Sequence, residues 1–435
     1  MGSVESPRLI ARIEALNYRC LRRVAQDLTP FQILVGPNAS GKSTFLDVAG
    51  LIGDVLRDGV GSAVHARSSF FKALTWLRAQ DSFEVAVELY IPPDRRERVE
   101  QGRYERARYE LAVGLVPLGR LGRRLRFLKI LGETLWLCTE PGGSKQAPHR
   151  GSRQRSSCTR VRGVAGNTRK RLRSGWQQVI AREHPSGDYR FWGETTDWSE
   201  VFHFGSGKAG LANLPEDEER FPISVWAKRL LMEGVQRVAL NVEAIRRPAP
   251  PGSSALFQSD GSNLPWVVWE LQRRSPGRFQ EWVAHVRSAL PDITDIGTIL
   301  RKEDEHRYLQ IEYASGLKAP SWVVSDGTLR LLALTALAYV AGEGGVYLIE
   351  EPENGIHPRA VESVFQSLSS AYDSQILCAT HSPIMLSLAE PGHLLCFTRN
   401  SKGATDICRG DEHPVLRNWQ READLGTLFA AGVLG

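Results

Sequence analysis

The chain has 435 residues, of which 42% are hydrophobic and 24% are charged, and its formal net charge is +6. This composition is typical of a globular protein large enough for two or three compact units. No stretch approaches the roughly 18–20 uninterrupted apolar residues of a membrane span, and the N-terminus has no apolar signal-peptide core. The six cysteines are scattered without metal-ligand spacing, so we expect reduced thiols in a cytoplasmic protein with no membrane partner.

The first strong signal is a phosphate-binding motif near the N-terminus. Residues 8–17 and 31–35 predict strands, and a helix is predicted from Ser43 to about Leu56. The loop between the second strand and this helix reads GPNASGKST, residues 36–44, and matches the pattern GxxxxGK[ST]. The glycines allow backbone N–H groups to face phosphate oxygens, and the helix N-terminus adds a partial positive charge. A chance glycine-rich turn is the weaker interpretation, because the pattern is rare at average composition.

Two side chains of this motif have direct chemical roles in a phosphate site. Lys42 would contact the β and γ phosphates, and the Ser43 hydroxyl would ligate Mg²⁺. The motif therefore predicts that ATP and Mg²⁺ bind here.

The middle of the chain is strongly basic. Residues 83–91 and 109–116 predict strands, and residues 125–138 suggest a hairpin. Residues 140–175 are rich in Gly, Ser and Arg without an apolar period, which predicts a long loop or a disordered insertion. The segment 101–175 contains 18 Lys or Arg against 4 Asp or Glu. It is a candidate for binding the DNA backbone, and a solvated basic loop is the alternative.

Helices and strands alternate again in the C-terminal half. Helices are predicted at 225–235, 263–274, 277–291, 329–340 and 359–372, and strands at 307–313, 346–350, 375–380 and 393–398. This alternation at both ends of the chain predicts an α/β fold with a largely parallel sheet, interrupted by an insertion.

Two of these strands end in polar residues that suit nucleotide chemistry. The strand 346–350 ends in Glu350 and is followed by Glu351, so Glu350 could hold Mg²⁺ and Glu351 could orient the attacking water. Alone, two glutamates are more often a solvated strand end, but a P-loop in the same chain favours a site. His381 follows the next strand and could sense the γ-phosphate, although a lone histidine is usually structural.

The segment Ser325-Asp326-Gly327-Thr328 precedes an apolar helix. A simple helix N-cap explains it locally. A serine and a glycine at a helix N-terminus can also form a second anion site. Local sequence leaves both interpretations open.

These motifs, in this order along the chain, resemble the RecF/SMC/OLD-like branch of ABC ATPases. GPNASGKST resembles their Walker A motif, SDGTLR their signature motif, LIEEPENGIHP their Walker B motif with D-loop, and THSP their switch-histidine motif. Residues 260–264 (DGSNL) also resemble a motif of stand-alone members. The resemblance covers residues 8–60 and about 240–400.

The resemblance implies an ABC-type head with a central, mainly parallel sheet, an antiparallel β lobe and an inserted helical and basic segment. It implies that two copies enclose two ATP molecules, with the signature motif of one copy facing the nucleotide of the other. Motifs and resemblance together assign ATP binding to Asn38, Ser40, Gly41, Lys42, Ser43, Thr44, Ser325 and Gly327, metal binding to Ser43 and Glu350, and catalysis to Glu351 and His381. His357 takes the D-loop position.

Some positions depart from the family pattern. Glu350 stands where aspartate is usual, and the signature motif is not the LSGGQ form of transporters. Gln80, just before a strand, is the candidate for the Q-loop glutamine.

The expected organisation is an N-terminal part of the head at 1–100, an inserted lobe at 101–240, a C-terminal part at 241–400 and a tail at 401–435. OLD nucleases append a TOPRIM domain, which the 54 residues after His381 are too few to form. We therefore expect an ATPase that regulates a separately encoded nuclease or toxin in DNA maintenance or anti-phage defence. The alternatives are a nucleotide-binding transporter subunit and an ATP-dependent scaffold with negligible turnover.

Overall fold

A computed structural model describes residues 9–99, 102–118, 122–139, 175–183, 187–254, 256–340, 344–371, 373–418 and 424–433. Its strands are β1 (Ile10–Tyr18), β2 (Leu21–Asp27), β3 (Phe31–Val35), β4 (Ser82–Tyr90), β5 (Arg106–Leu118), β6 (Gly122–Cys138), β7 (Trp176–Arg182), β8 (Tyr189–Trp192), β9 (Ser199–Phe202), β10 (Val235–Val238), β11 (Ile293–Leu300), β12 (Arg307–Tyr313), β13 (Lys318–Pro320), β14 (Gly345–Glu350), β15 (Ser374–Ala379), β16 (Leu394–Arg399) and β17 (Thr405–Arg409). Its helices are α1 (Lys42–His65), α2 (Pro93–Arg96), α3 (Pro222–Arg229), α4 (Val242–Arg246), α5 (Leu264–Arg274), α6 (Pro276–Ala289), α7 (Asp326–Leu337), α8 (Pro358–Ser369), α9 (Pro383–Ser387) and α10 (Leu425–Ala430). Apart from Gly175, the basic segment 140–175 lies outside the described residues.

A six-stranded sheet forms the centre of the fold, in the order β10-β14-β15-β3-β16-β17. Its strand pairs are parallel except that β17 runs antiparallel to β16. All five residues of β3 and all six of β15 are buried, as expected for parallel strands covered on both faces. The predicted mainly parallel sheet is confirmed. The predicted helix 225–235 is partly wrong, because Val235 already begins the edge strand β10.

The two faces of this sheet belong to two different hydrophobic cores. Leu34, Leu348 and Leu377 point into the core that contains α1 and the β lobe. Ile33 and Ile349, their neighbours along the strands, point into the core built with helices α5 to α8. The alternation of side chains along each strand explains this division.

The antiparallel β lobe is an eight-stranded sheet, in the order β2-β1-β4-β5-β6-β7-β8-β9. It combines strands from both sides of residue 100, so the chain passes from β4 to β5 within one sheet. A separate three-stranded sheet, β11-β12-β13, lies against α5 and α6. The lobe predicted from the family resemblance is therefore present.

Residues 125–138, expected to form a hairpin, instead belong to the single strand β6. Gly132 does not turn the chain but pairs with β5, and the neighbouring Leu131 is the extra residue of a bulge in this register. Directly after the bulge, the buried Glu133 accepts hydrogen bonds from the hydroxyls of Tyr109 (2.9 Å) and Tyr189 (2.8 Å). These bonds fix the strand across the bulge.

The described helices and cysteines bear on membrane spanning and on disulfide formation. None of the helices in the described ranges combines the length and the apolar character needed to cross a membrane. The cysteines in those ranges are free thiols, namely Cys20, Cys138, Cys378, Cys396 and Cys408.

A buried glutamine joins the β lobe to the central sheet. Gln375 on β15 is fully buried, and its side-chain oxygen accepts a hydrogen bond from the Ile10 N–H at 2.7 Å. Its amide nitrogen donates to the Ile10 and Thr29 carbonyl oxygens, both at 2.9 Å. One side chain therefore satisfies three backbone groups of the lobe where it meets the sheet.

We predict that Gln375→Leu destabilises the protein by about 2–5 kcal/mol, because it leaves buried backbone groups without hydrogen-bond partners. Chemical denaturation of both proteins measures the change. Gln366→Leu, on the exposed side of α8, is the matched control and should change the stability by less than about 0.5 kcal/mol. Equal effects of the two substitutions would contradict the proposed role of Gln375.

Candidate functional site

The loop between β3 and α1 wraps tightly enough that only glycine fits at two positions. Gly36 has φ +149°, and a Cβ there would lie 2.2 Å from the carbonyl oxygen of Phe397. Gly41 has φ +111°, and a Cβ would lie 2.4 Å from Oγ1 of Thr405. The Thr405 hydroxyl donates to the Ser40 carbonyl oxygen at 2.8 Å, so β17 supports the loop from behind. The loop ends at the N-terminus of α1, where backbone N–H groups suit an anion.

The Lys42 ammonium lies at the mouth of this loop. Its Nζ donates to the carbonyl oxygens of Gly36 (2.8 Å) and Pro37 (3.0 Å), and the residue is only 7% exposed. Burial lowers the pKa of the Lys42 ammonium, while the nearby carboxylates Glu351 and Glu350 oppose this shift. A partly desolvated cation attracts a phosphate group more strongly than a cation in water does.

Glu350 ends β14 beside the P-loop. The Ser43 hydroxyl donates to one carboxylate oxygen of Glu350, and the Arg237 guanidinium on β10 contacts the other. A serine hydroxyl and a carboxylate are oxygen ligands that suit Mg²⁺ together with phosphate oxygens. The residues present therefore fit the predicted metal, which Ser43 and Glu350 would hold.

Glu351 adopts a left-handed backbone conformation, with φ +49°. Its N–H donates to the Ala379 carbonyl oxygen at 2.7 Å, and its side chain accepts from the Asn354 amide. Such a conformation is costly for a residue other than glycine and is maintained only by its surroundings. Here the neighbouring strand and Asn354 fix where the carboxylate lies.

His381 follows β15 and is fixed through its own backbone. Glu353 accepts hydrogen bonds from the Thr380 hydroxyl at 2.6 Å and from the His381 N–H at 3.3 Å. Burial lowers the pKa of the His381 imidazole, and the positive charge of Lys42 lowers it further. The carboxylates of Glu351 and Glu353 oppose this shift of the pKa. A neutral imidazole can either donate or accept a hydrogen bond.

These side chains share one cleft of about 770 Å³. The sequence-predicted residues that line it are Asn38, Ser40, Gly41, Lys42, Ser43, Thr44, Glu350, Glu351 and His381. The fold thus brings together elements that are more than 300 residues apart in the chain.

The signature segment lies elsewhere. Ser325 caps α7, where its Oγ accepts from the Thr328 N–H at 3.3 Å, and Asp326 pairs with Arg246. A Cβ on Gly327 would lie 3.0 Å from the Gly355 carbonyl oxygen, in the segment after Glu351. Neither Ser325 nor Gly327 is among the residues that line the cleft of the same chain.

Two further segments noted in the sequence do not line the cleft. Gln80 is exposed, and residues 73–78 line the cleft in its stead. Asn263 of the DGSNL segment is buried and accepts a hydrogen bond from the Gln258 N–H at 2.9 Å. It also donates to the carbonyl oxygens of Ser254 and Leu256, both at 2.7 Å, which ties down the preceding loop.

Sequence reasoning did not identify several residues around the cleft. They are Arg19, Arg67, Trp76, Leu77, Arg78, Arg399 and Lys402, which line its walls, and Arg237, which contacts Glu350. They lie in turns and strand ends that match no nucleotide-binding pattern. Repeated arginines near the P-loop were the available signal, but local sequence does not tell which of them face the cleft.

Comparison with known proteins points to one family. A family model described as "AAA domain, putative AbiEii toxin, Type IV TA system" matches residues 167–387, just over half of the chain. Protein ea59 of Escherichia phage lambda is 28% identical over 111 residues, which are 25% of this chain. That alignment covers only 21% of the phage protein, about a fifth of its length.

A solved structure shows the same fold at low sequence identity. An Smc head bound to the C-winged helix domain of ScpA gives a TM-score of 0.52 at 14% identity, covering 92% of this chain and 97% of that one. The SMC head domain from Thermotoga maritima gives 0.41 at 13% identity, covering 92% and 98%. The first match shows an SMC-head fold of the ABC type.

We predict that Arg237→Met lowers, by about three-fold, the Mg²⁺ concentration that is needed to stabilise the ATP-bound protein. The guanidinium competes with the metal for Glu350, and a partly exposed ion pair is worth about 0.2–1 kcal/mol. Without the guanidinium, the carboxylate oxygen of Glu350 that Ser43 does not contact becomes available to the metal. The measurement is a Mg²⁺ titration of the melting temperature at saturating ATP.

Arg237→Lys, which keeps the charge, should behave more like the wild type in this titration. Arg274→Met, which removes a surface ion pair to Glu270 on α5, is the matched control and should change nothing. A higher Mg²⁺ requirement in Arg237→Met would mean that the arginine orients Glu350 for the metal and does not compete with it.

Proposed function

The chain belongs to the AbiEii-type AAA domain family, and we propose that it hydrolyses ATP with Mg²⁺. Hydrolysis would take place in a dimer that encloses the nucleotide and controls a separate effector. The chain is an AAA-type ATPase with an SMC-head-like fold. The observation that supports hydrolysis best is the convergence of Lys42, Ser43, Glu350, Glu351 and His381 on one cleft.

The P-loop would bind the triphosphate. Backbone N–H groups of residues 38–44 would surround the phosphate oxygens, and Lys42 would exchange its loop carbonyl contacts for the β and γ phosphates. Bound Mg²⁺, held by Ser43 and Glu350, would neutralise charge that develops on the phosphates during transfer.

Glu351 and His381 would act on the attacking water. The carboxylate of Glu351 lies one residue beyond the proposed metal ligand and is fixed by Asn354, so it would orient the water and accept its proton. The imidazole of His381 would donate a hydrogen bond to the γ-phosphate.

The second half of the site would come from another copy of the chain. Ser325 and Gly327 stand at the N-terminus of α7, a helix of 12 residues, and outside the cleft of their own chain. A helix N-terminus with a serine cap suits the γ-phosphate. In a two-fold symmetric dimer, each α7 would meet the P-loop of the partner.

The proposed function also includes a separate protein partner and DNA. The similar Smc head is bound to a domain of another protein, ScpA, and the family description refers to a toxin system. Both support a separate protein partner, which affinity purification from native cells would detect. The basic segment 101–175 would bind the DNA backbone, and such binding must weaken steeply as salt rises.

We predict that Glu351→Gln keeps ATP binding but lowers turnover by at least about 100-fold, the usual contribution of a general base. Because hydrolysis would then no longer open the dimer, an ATP-bound dimer should accumulate in light scattering after gel filtration. Glu362→Gln, on the exposed face of α8, is the matched control and should hydrolyse ATP at the wild-type rate.

A wild-type protein that binds ATP with no turnover above that of Glu351→Gln would favour the scaffold alternative. Normal turnover in Glu351→Gln would contradict the role given to this carboxylate.

We also predict that Lys42→Ala and Ser325→Arg are each inactive alone but regain activity when mixed. In a mixed dimer the intact P-loop of one copy meets the intact signature motif of the other, so equal mixing should give about a quarter of the wild-type rate if subunits pair at random. Steady-state ATP hydrolysis measures the rate. Full activity of Ser325→Arg alone would show that the signature motif takes no part in the site.

A further inference from the structure

The two most exposed large apolar side chains in the described part of the chain lie on the two halves of the proposed composite site. Leu77 is 70% exposed and lines the nucleotide cleft. Val323 is 64% exposed and stands two residues before Ser325. Beside it, Trp322 is 47% exposed. Exposed apolar side chains at two complementary positions indicate a contact surface.

Leu77 is held outward by a firmly anchored turn. The backbone of Leu77 has φ +53° and that of Arg78 has φ +56°, a left-handed conformation that costs roughly 1–2 kcal/mol per residue other than glycine. The neighbouring Trp76 is buried, and the Arg19 N–H donates to the Leu74 carbonyl oxygen at 3.0 Å. The exposure of Leu77 is therefore built into the fold and does not come from a loose loop.

The turn before the signature motif is anchored just as firmly. Ser321 is fully buried, and its hydroxyl donates to the Arg246 carbonyl oxygen at 2.9 Å. The Arg246 guanidinium donates to the carbonyl oxygens of Trp322 (3.3 Å) and Val324 (2.7 Å). The Trp322 ring contacts Tyr308, with ring centroids 4.9 Å apart. The backbone of this turn is thus fixed, and it leaves the apolar side chains of Trp322 and Val323 exposed.

We propose that Leu77 of one copy packs against Trp322 and Val323 of a second copy and closes the nucleotide cleft from outside. This inference rests on the proposed ATP-bound dimer, in which Ser325 of the second copy approaches the cleft that Leu77 lines. Two-fold symmetry repeats the contact at the other site, so each dimer gains two apolar contacts. Closure by apolar groups also excludes water from the phosphates, which strengthens the electrostatic interactions inside.

A second copy fits better than another occupant. Val323 stands two residues before Ser325, so a partner chain that brings its P-loop to Ser325 would also bring the wall of its cleft towards this turn. Tryptophan is among the residue types that dominate binding energy at protein contacts. Two other occupants, a nucleobase lying on Leu77 and an effector protein on Trp322, are separated from this proposal by the tests below.

Site-specific crosslinking tests the contact directly. Two proteins are prepared in a Cys20→Ser, Glu351→Gln background, one with Leu77→Cys and one with Val323→Cys, and they are mixed with a short bismaleimide. A crosslink between the two can form only between chains. We expect a covalent dimer with ATP and Mg²⁺ at a yield about ten-fold above that without nucleotide. Leu256→Cys, at a position that is 54% exposed but outside both surfaces, replaces Leu77→Cys as the matched control.

The outcomes separate this inference from the proposed function. If ATP produces a dimer in light scattering but the crosslink yield equals that of the Leu256→Cys control, the apolar contact is wrong and the ATP-bound dimer stands. If the protein forms no dimer with any nucleotide, the apolar contact and the proposed ATP-bound dimer are both wrong.

Charge substitutions provide a second, independent readout. Leu77→Asp and Val323→Lys should each weaken ATP-dependent dimerisation by about ten-fold or more, and combining both in one chain should recover part of the loss. ATP binding to the monomer, measured at protein concentrations below the dimerisation range, should stay unchanged in Val323→Lys, which lies outside the cleft of its own chain. A loss of monomer ATP affinity in the uncharged variant Leu77→Ala, equal to its loss of dimerisation, would place Leu77 on the nucleotide and overturn the proposal.

Discussion

The site depends on the parallel register of β14, β15 and β3 in the central sheet. Ala379 at the end of β15 is the register partner of Glu350 on one side and of Leu34 on the other. Because parallel strands end at the same edge, the P-loop, the two glutamates and His381 all begin at one level. A slip of one residue would move a strand by about 3.3 Å and turn its side chains to the opposite face. The contact between Ser43 and Glu350 would then be lost.

Backbone strain is concentrated around the same cleft. The structure describes eight residues other than glycine with positive φ, of which five line the cleft, namely Arg19, Ala39, Leu77, Arg78 and Glu351. Each such conformation costs stability and persists only where surrounding contacts impose it. For Glu351, the contacts come from Asn354 and from the backbone of β15. Contacts within the fold therefore fix the positions of these side chains, and such preorganisation lowers the cost of binding.

The distribution of the motifs over the molecule suits a site shared between two chains. The phosphate loop and the acidic strand end occupy one cleft, whereas α7 directs its N-terminus elsewhere on the same chain. Buried contacts such as those of Gln375 join the lobes within one copy, but the two turns that carry Leu77 and Val323 leave their apolar side chains outside. A second copy would both complete the anion site and cover these side chains.

Sequence alone determined the features that depend on local chemistry. The glycine spacing of residues 36–44, the apolar strand before Glu350 and the strand–helix alternation each predict their element, because backbone freedom and side-chain period act over a few residues. Tertiary structure decided the rest: that Leu131 is the extra residue of a bulge, that Arg237 reaches Glu350 and that Leu77 lines the cleft. These facts depend on which distant segments approach one another, and neither the periodicity nor the propensity of a short segment contains that information.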